Sequence, residues 1–139
     1  MLEDNIKRQP VLWKYIPLLN RQQGTTIGTK IYLRPDIYDD LLTKKPKLEN
    51  IAVLIHEKTH IKRIREMGVF EFGLRYLFDG QFRFGEELLA NKSVFLMLKR
   101  KNIKVDLKKK AKLLSGWLYF WPVDYRHALD QLERSWKEA

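Results

Sequence analysis

The chain has no cysteine among its 139 residues. Disulfides, thiol nucleophiles and thiolate metal sites are therefore excluded, and any metal must be taken by imidazole and carboxylate. Histidine is scarce too, with only His56, His60 and His127. Long apolar runs are also missing. The longest, roughly Leu113 to Val123, is broken by Ser115, Gly116 and Pro122 and falls short of the ~20 residues a spanning helix needs. The stretch Val11 to Leu19 is interrupted by Lys14 and Pro17, so no secretory signal is expected and the expected location is the cytoplasm. No internal repeat or low-complexity linker divides the sequence, and its length suits one hydrophobic core, giving a single expected domain over 1–139.

What the chain has in excess is positive charge, 27 Lys plus Arg against 17 Asp plus Glu, for a net +10. Such a balance favours encounter with acidic partners, among them nucleic acid and anionic lipid. The densest basic runs, Lys99 to Lys104 and Lys108 to Lys112, read as a helix end with its loop and the exposed face of the next helix. No aromatic-interleaved stripe or nucleic-acid motif accompanies them, so a solvated surface is the simpler reading.

Turn signals at Gly24, Gly28, Pro35, Pro46, Gly68, Gly80, Gly85 and Pro122 divide the chain. Thr29 to Arg34 is rich in β-formers and reads as a strand ending at Pro35, as an edge strand can. From Asn50, a fair N-cap, an unbroken helical run reaches Gly68, a fair stop. Its first half is apolar on every face, which predicts burial on all sides, and its second half turns amphipathic and basic. A short helix over Val69 to Phe78 should follow. Next should come one from about Gly85 to Arg100, with Leu88, Leu89, Phe95, Leu96 and Leu98 facing a core. Asp106 can cap a helix from Leu107 to about Leu118, and Asp124 a last one running through Ala128, Leu129, Leu132 and Trp136. The expected class is α+β, mostly helical with a small sheet.

Residues 56–60 read His-Glu-Lys-Thr-His, the H-E-x-x-H pattern, inside the most secure helix. At about 100° per residue, His60 lies ~40° round from His56 and one turn along, so both imidazoles can reach one ion. A catalytic zinc takes three protein ligands and keeps a position for water, and Glu57 is then placed to take that water's proton. Two helical histidines can also merely satisfy hydrogen bonds. Against this, two of only three histidines occupy the motif, mid-helix against apolar neighbours. Carboxylates are the obvious source of a third ligand. Glu86 and Glu87 sit on an otherwise apolar element, with 26 residues between His60 and Glu87 in which the chain can turn back. First-turn acids favoured by the helix dipole would look the same.

With these residues together, the sequence resembles the glutamate-zincins, and among them the minimal single-domain minigluzincins. The peptidase domains of HtpX-like enzymes and of ImmA/IrrE-like regulators show the same arrangement. They have a strand, then H-E-x-x-H on an active-site helix, then E-x-x-A-D or E-x-x-A-N on a glutamate helix. Here those are Thr29 to Arg34, His56 to His60, and Glu87-Leu88-Leu89-Ala90-Asn91, within roughly Gly24 to Lys101. The resemblance implies a zincin-like fold in which the active-site helix, about 50–67, is crossed by the glutamate helix, about 85–100. It makes Glu87 the third zinc ligand and Asn91 the outer partner that orients a ligand histidine, although many relatives carry Asp there. Glu86, off the Glu87-Ala90-Asn91 stripe, should matter mainly through the helix dipole.

The same resemblance implies that the strand of Lys30, Ile31, Tyr32 and Leu33 binds a peptide substrate as an added antiparallel strand. It also implies a Tyr or His near the tetrahedral intermediate, for which Tyr125 and His127 are the candidates. The expected function is peptide-bond hydrolysis by zinc-activated water with Glu57 as general base. Two alternatives stand beside it. One is a zincin-fold protein that acts by contact, with nucleic acid as a candidate partner through the basic surface. The other is a latent peptidase, inhibited by self-association or by the tail Trp136 to Ala139 in its own cleft.

Overall fold

The computed structural model describes residues 2–17, 19–116, 119 and 122–139. Among these the chain forms six α-helices and one three-stranded sheet, an α+β arrangement that is mostly helical. It divides into two compact units, Met1–Val69 and Phe70–Ala139. Among the described residues, no helix is long and apolar enough to cross a membrane.

The first unit holds strands β1 (Ile6–Arg8), β2 (Gly24–Ile27) and β3 (Lys30–Leu33), a 3-10 turn over Val11–Tyr15, and helices α1 (Pro35–Leu41) and α2 (Leu48–Met67). The sheet order is β1-β3-β2, with β1 parallel and β2 antiparallel to β3. Expecting β3 at an edge is thus wrong. Both its flanks are paired, and Lys30, Ile31, Tyr32 and Leu33 have no open side on which a further strand could add. Pro35 ends β3 not because the strand is an edge but because it opens α1 at the first helical position, where its missing N–H costs nothing. Gly28, at φ +59°, and Thr29 make the two-residue turn of the β2-β3 hairpin, a signal the strand assignment overlooked. Ile31 and Leu33, two residues apart on one face, pack with Ile6, Ile37 and Ile61 into the core of this unit.

Helix α2 starts two residues before Asn50. Asp40 on α1 accepts from the Lys47 N–H at 2.8 Å and from Asn50 Nδ2 at 2.7 Å. The orphan donor at the helix start is therefore satisfied from outside, and Asn50 sits within the first turn instead of capping it. Gly68 is the stop, as expected, at φ +100°. The burial along α2 reverses the expectation. Residues 51–55 are only half-buried, whereas the buried positions are Glu57, His60, Ile61 and Ile64. Their i, i+3, i+4, i+7 spacing marks one face. An all-apolar segment can still leave one side open.

The second unit holds α3 (Val69–Phe78, of which Val69 belongs to the first), α4 (Gly80–Arg100), α5 (Leu107–Leu114) and α6 (Tyr125–Glu138). Its core is Phe84, Phe95, Ala111, Leu114, Ala128 and Leu132. Helix α4 begins five residues earlier than expected, because Asp79 caps it by accepting from the Phe82 N–H at 3.0 Å. Gly85, read as its start, is an interior residue. Of the leucines assigned to the core, Leu89 and Leu96 are exposed. Helix α5 ends at Leu114 with Ser115 as its C-cap; the expected continuation to Trp117 and Leu118 lies outside the described residues, as do Phe120 and Trp121 of the apolar run. Asp106 and Asp124 cap α5 and α6 as expected, accepting from the N–H groups of Lys109 and His127. Lys110, expected on a solvated face, is partly buried, and burial pushes its ammonium below the usual lysine range while the Glu87 carboxylate pulls it back up.

The C-terminal tail is not free to fill a cleft. Trp136 meets Phe95 edge-on at 5.3 Å, and Ala139 packs on the same core. Lys92 reaches Glu138 at 3.3 Å. The expected tail-in-cleft inhibition would have to break these contacts.

Candidate metal centre

In α2 the 3.6-residue period brings His56 and His60 to the same side, one turn apart. Their rings stand edge to face with centroids 4.9 Å apart, and their Nε2 atoms are 3.2 Å apart. Two N–H groups would repel at that distance. The pair suits either one shared proton or one cation. Donors held 2.0–2.1 Å from a common tetrahedral ion sit about 3.3 Å apart, so the two nitrogens already have the spacing that zinc requires. Among the described residues, His56, His60 and Glu87 form a group that could hold a metal ion, each offering one ligand atom, all within 4.8 Å of one another. Two imidazoles and a carboxylate are a suitable donor set for a divalent transition metal.

Glu57 follows His56 directly and is only 7% exposed. A buried carboxylate is costly unless it is hydrogen-bonded. Thr26 on β2 provides the bond, its hydroxyl donating to Glu57 Oε2 at 2.7 Å. Gly24, on the same face of β2, lies so close that a Cβ there would meet Glu57 Cγ at 2.9 Å and Val53 Cγ1 at 3.1 Å. β2 is an edge strand of the three-stranded sheet, and it packs directly on α2.

In the second unit Glu87 is 2% exposed, and Tyr76 on α3 donates its phenolic hydrogen to Oε1 at 2.6 Å. Arg83, also buried, donates to the main-chain carbonyls of Tyr76 and Tyr119 at 2.6 and 2.8 Å, tying the end of α3 to α4. Of the two candidate glutamates, Glu87 is the one grouped with the imidazoles. Glu86 is not a dipole-stabilised surface acid. It is buried and stands well beyond the first turn of α4, where the dipole acts. Asn91 is buried, and its Nδ2 donates to the main-chain oxygen of Glu87 at 2.8 Å, steadying the turn of α4 that carries the carboxylate.

Tyr125 and His127 lie on the exposed first turn of α6, the His127 ring against Phe84 at 5.7 Å. His127 is not a member of the metal-binding group. Sequence reasoning missed Gly24, Thr26 and Tyr76. The hairpin signal around Gly28 could have found the first two; nothing in the order of residues announces Tyr76. Comparison of the chain with protein-family models, with curated proteins and with solved structures finds no match.

Proposed function

We propose that this chain is a zinc metallopeptidase of the glutamate-zincin type, similar to the minigluzincins, acting on an extended peptide or protein substrate. The observation that carries this reading is the donor set: two imidazole nitrogens 3.2 Å apart and a carboxylate, with ligand atoms within 4.8 Å of one another. Glu57 adds to it, because a site that only held a metal would gain nothing from burying a further carboxylate beside a ligand. His56, His60 and Glu87 would hold the ion, and a His₂-carboxylate set is a known catalytic zinc arrangement. When bound, zinc supplies a Lewis acid toward the substrate carbonyl and the attacking water.

The other roles fall to this chain's own side chains and backbone. Glu57 accepts a proton from the attacking water and returns it to the leaving amine nitrogen. The outer edge of β2, beside Glu57, offers its backbone N–H and C=O groups to an extended peptide, a mode that fixes orientation with little sequence preference.

Metal analysis of zinc-reconstituted protein, run beside a peptide-library cleavage assay on the native chain and on Glu57→Gln, tests the reading. The expected result is one zinc per chain in both and hydrolysis in the native chain alone. Absence of bound zinc, or cleavage unchanged by the substitution, would overturn it.

A further inference from the structure

A general base must present one particular oxygen to the attacking water, and a glutamate has three side-chain torsions through which to miss. The surroundings of Glu57 remove that freedom from one direction. On β2, Gly24 and Thr26 are two residues apart and so face the same way. Thr26 Oγ1 holds Glu57 Oε2 at 2.7 Å. Gly24 leaves the room that the side chain occupies, since a Cβ there would stand 2.9 Å from Glu57 Cγ and 3.1 Å from Oε1. One residue acts by a hydroxyl and the other by having no side chain.

We propose that Thr26 is a positioning residue for the general base: its hydroxyl holds Glu57 Oε2 and with it the orientation of the carboxylate that takes the water's proton. This inference rests on the peptidase reading above. It assigns β2 a second task beside presenting its edge to substrate, and it explains why a strand next to the active-site helix carries threonine where an apolar residue would pack as well. The Thr26 hydroxyl acts on Glu57 and not on a metal ligand or the substrate, so its removal, with the β2 backbone kept, should change turnover without changing zinc affinity or substrate binding.

The test compares Thr26→Val, which removes the hydroxyl while keeping the branched shape, with Thr26→Ser, which keeps the hydroxyl. For each, kcat and KM on a cleavable peptide, zinc affinity by competition titration and the melting temperature are measured on the full chain. Thr26→Val should lower kcat by roughly tenfold or more, the scale on which misplacement of a reacting group acts. Its KM and zinc affinity should stay at the native values, and Thr26→Ser should recover most of the loss. A folded Thr26→Val with native kcat overturns the proposal, and so does a loss that Thr26→Ser fails to recover. A native chain that cleaves no peptide while binding zinc would instead remove the peptidase reading, and this role of Thr26 with it. The two failures are therefore distinct.

Discussion

Tyr76 donates its phenolic hydrogen to Glu87 Oε1 at 2.6 Å, joining the end of α3 to the middle of α4 through a carboxylate that is 2% exposed. A hydrogen bond to a charged acceptor is both short and directional. It restrains the orientation of the carboxylate that is grouped with His56 and His60. Arg83 holds Tyr76 from the other side through its main-chain carbonyl.

Removing only the hydroxyl should therefore loosen the metal without unfolding the protein. Tyr76→Phe is expected to weaken zinc affinity by about 10- to 100-fold, the cost of losing an outer partner of a ligand. A competition titration beside a thermal melt checks it. Native affinity in a folded variant would reduce Tyr76 to a packing residue.

Glu86 and Glu87 are both buried, but only Glu87 is grouped with His56 and His60. Glu87→Ala should cost more zinc affinity than the roughly 100-fold ceiling of an outer-partner loss. Glu86→Ala should lower the melting temperature, because a buried side chain is truncated and a cavity is left, while zinc affinity changes far less. Zinc titrations of the two variants, each beside its own melt, decide between them; a larger affinity loss for Glu86→Ala would reverse the assignment.

At Gly24, β2 approaches α2 closely. A methyl group there would stand 2.9 Å from Glu57 Cγ, and overpacking of a tight contact costs about 1–3 kcal/mol. Gly24→Ala should melt at a lower temperature and lose turnover as Glu57 is displaced. A variant with native stability and native kcat would show that the contact relaxes freely.

Asp40 ties α1 to the start of α2 through Asn50 Nδ2 and the Lys47 N–H, and these bonds hold its carboxyl below the usual carboxylate range, the Asn50 bond foremost. Since the folded-state pKa is lowered, folding favours the ionised form. The stability this group adds is present in full above its unfolded value of about 3.9 and is lost as pH falls through the lower folded-state value. Melts of native protein and Asp40→Ala through this acid range should converge as pH drops, and stand apart at neutral pH with the native chain the more stable. A gap that persists at low pH would trace the effect to packing instead.

What was legible in the sequence is what local geometry determines. The i, i+4 spacing of His56 and His60 on an uninterrupted helix places both rings on one side whatever surrounds them, and Gly68, Asp106 and Asp124 end or begin helices by chemistry within a few residues of themselves. Hydrophobic pattern alone misjudged which faces are covered: residues 51–55 are half-open and Leu89 and Leu96 are exposed, because burial depends on the neighbours an element meets and not on its own composition. Strand order was likewise beyond local reading. β3 looked like an edge strand and became the centre of the sheet when β1, some two dozen residues away in sequence, paired with it. Glu87 was preferred to Glu86 in the sequence through the family resemblance alone; only the tertiary structure grouped it with the imidazoles, gave Tyr76 to its carboxylate, and set Gly24 and Thr26 against Glu57, since each of these contacts joins chain segments whose separation in sequence carries no information about their distance in space.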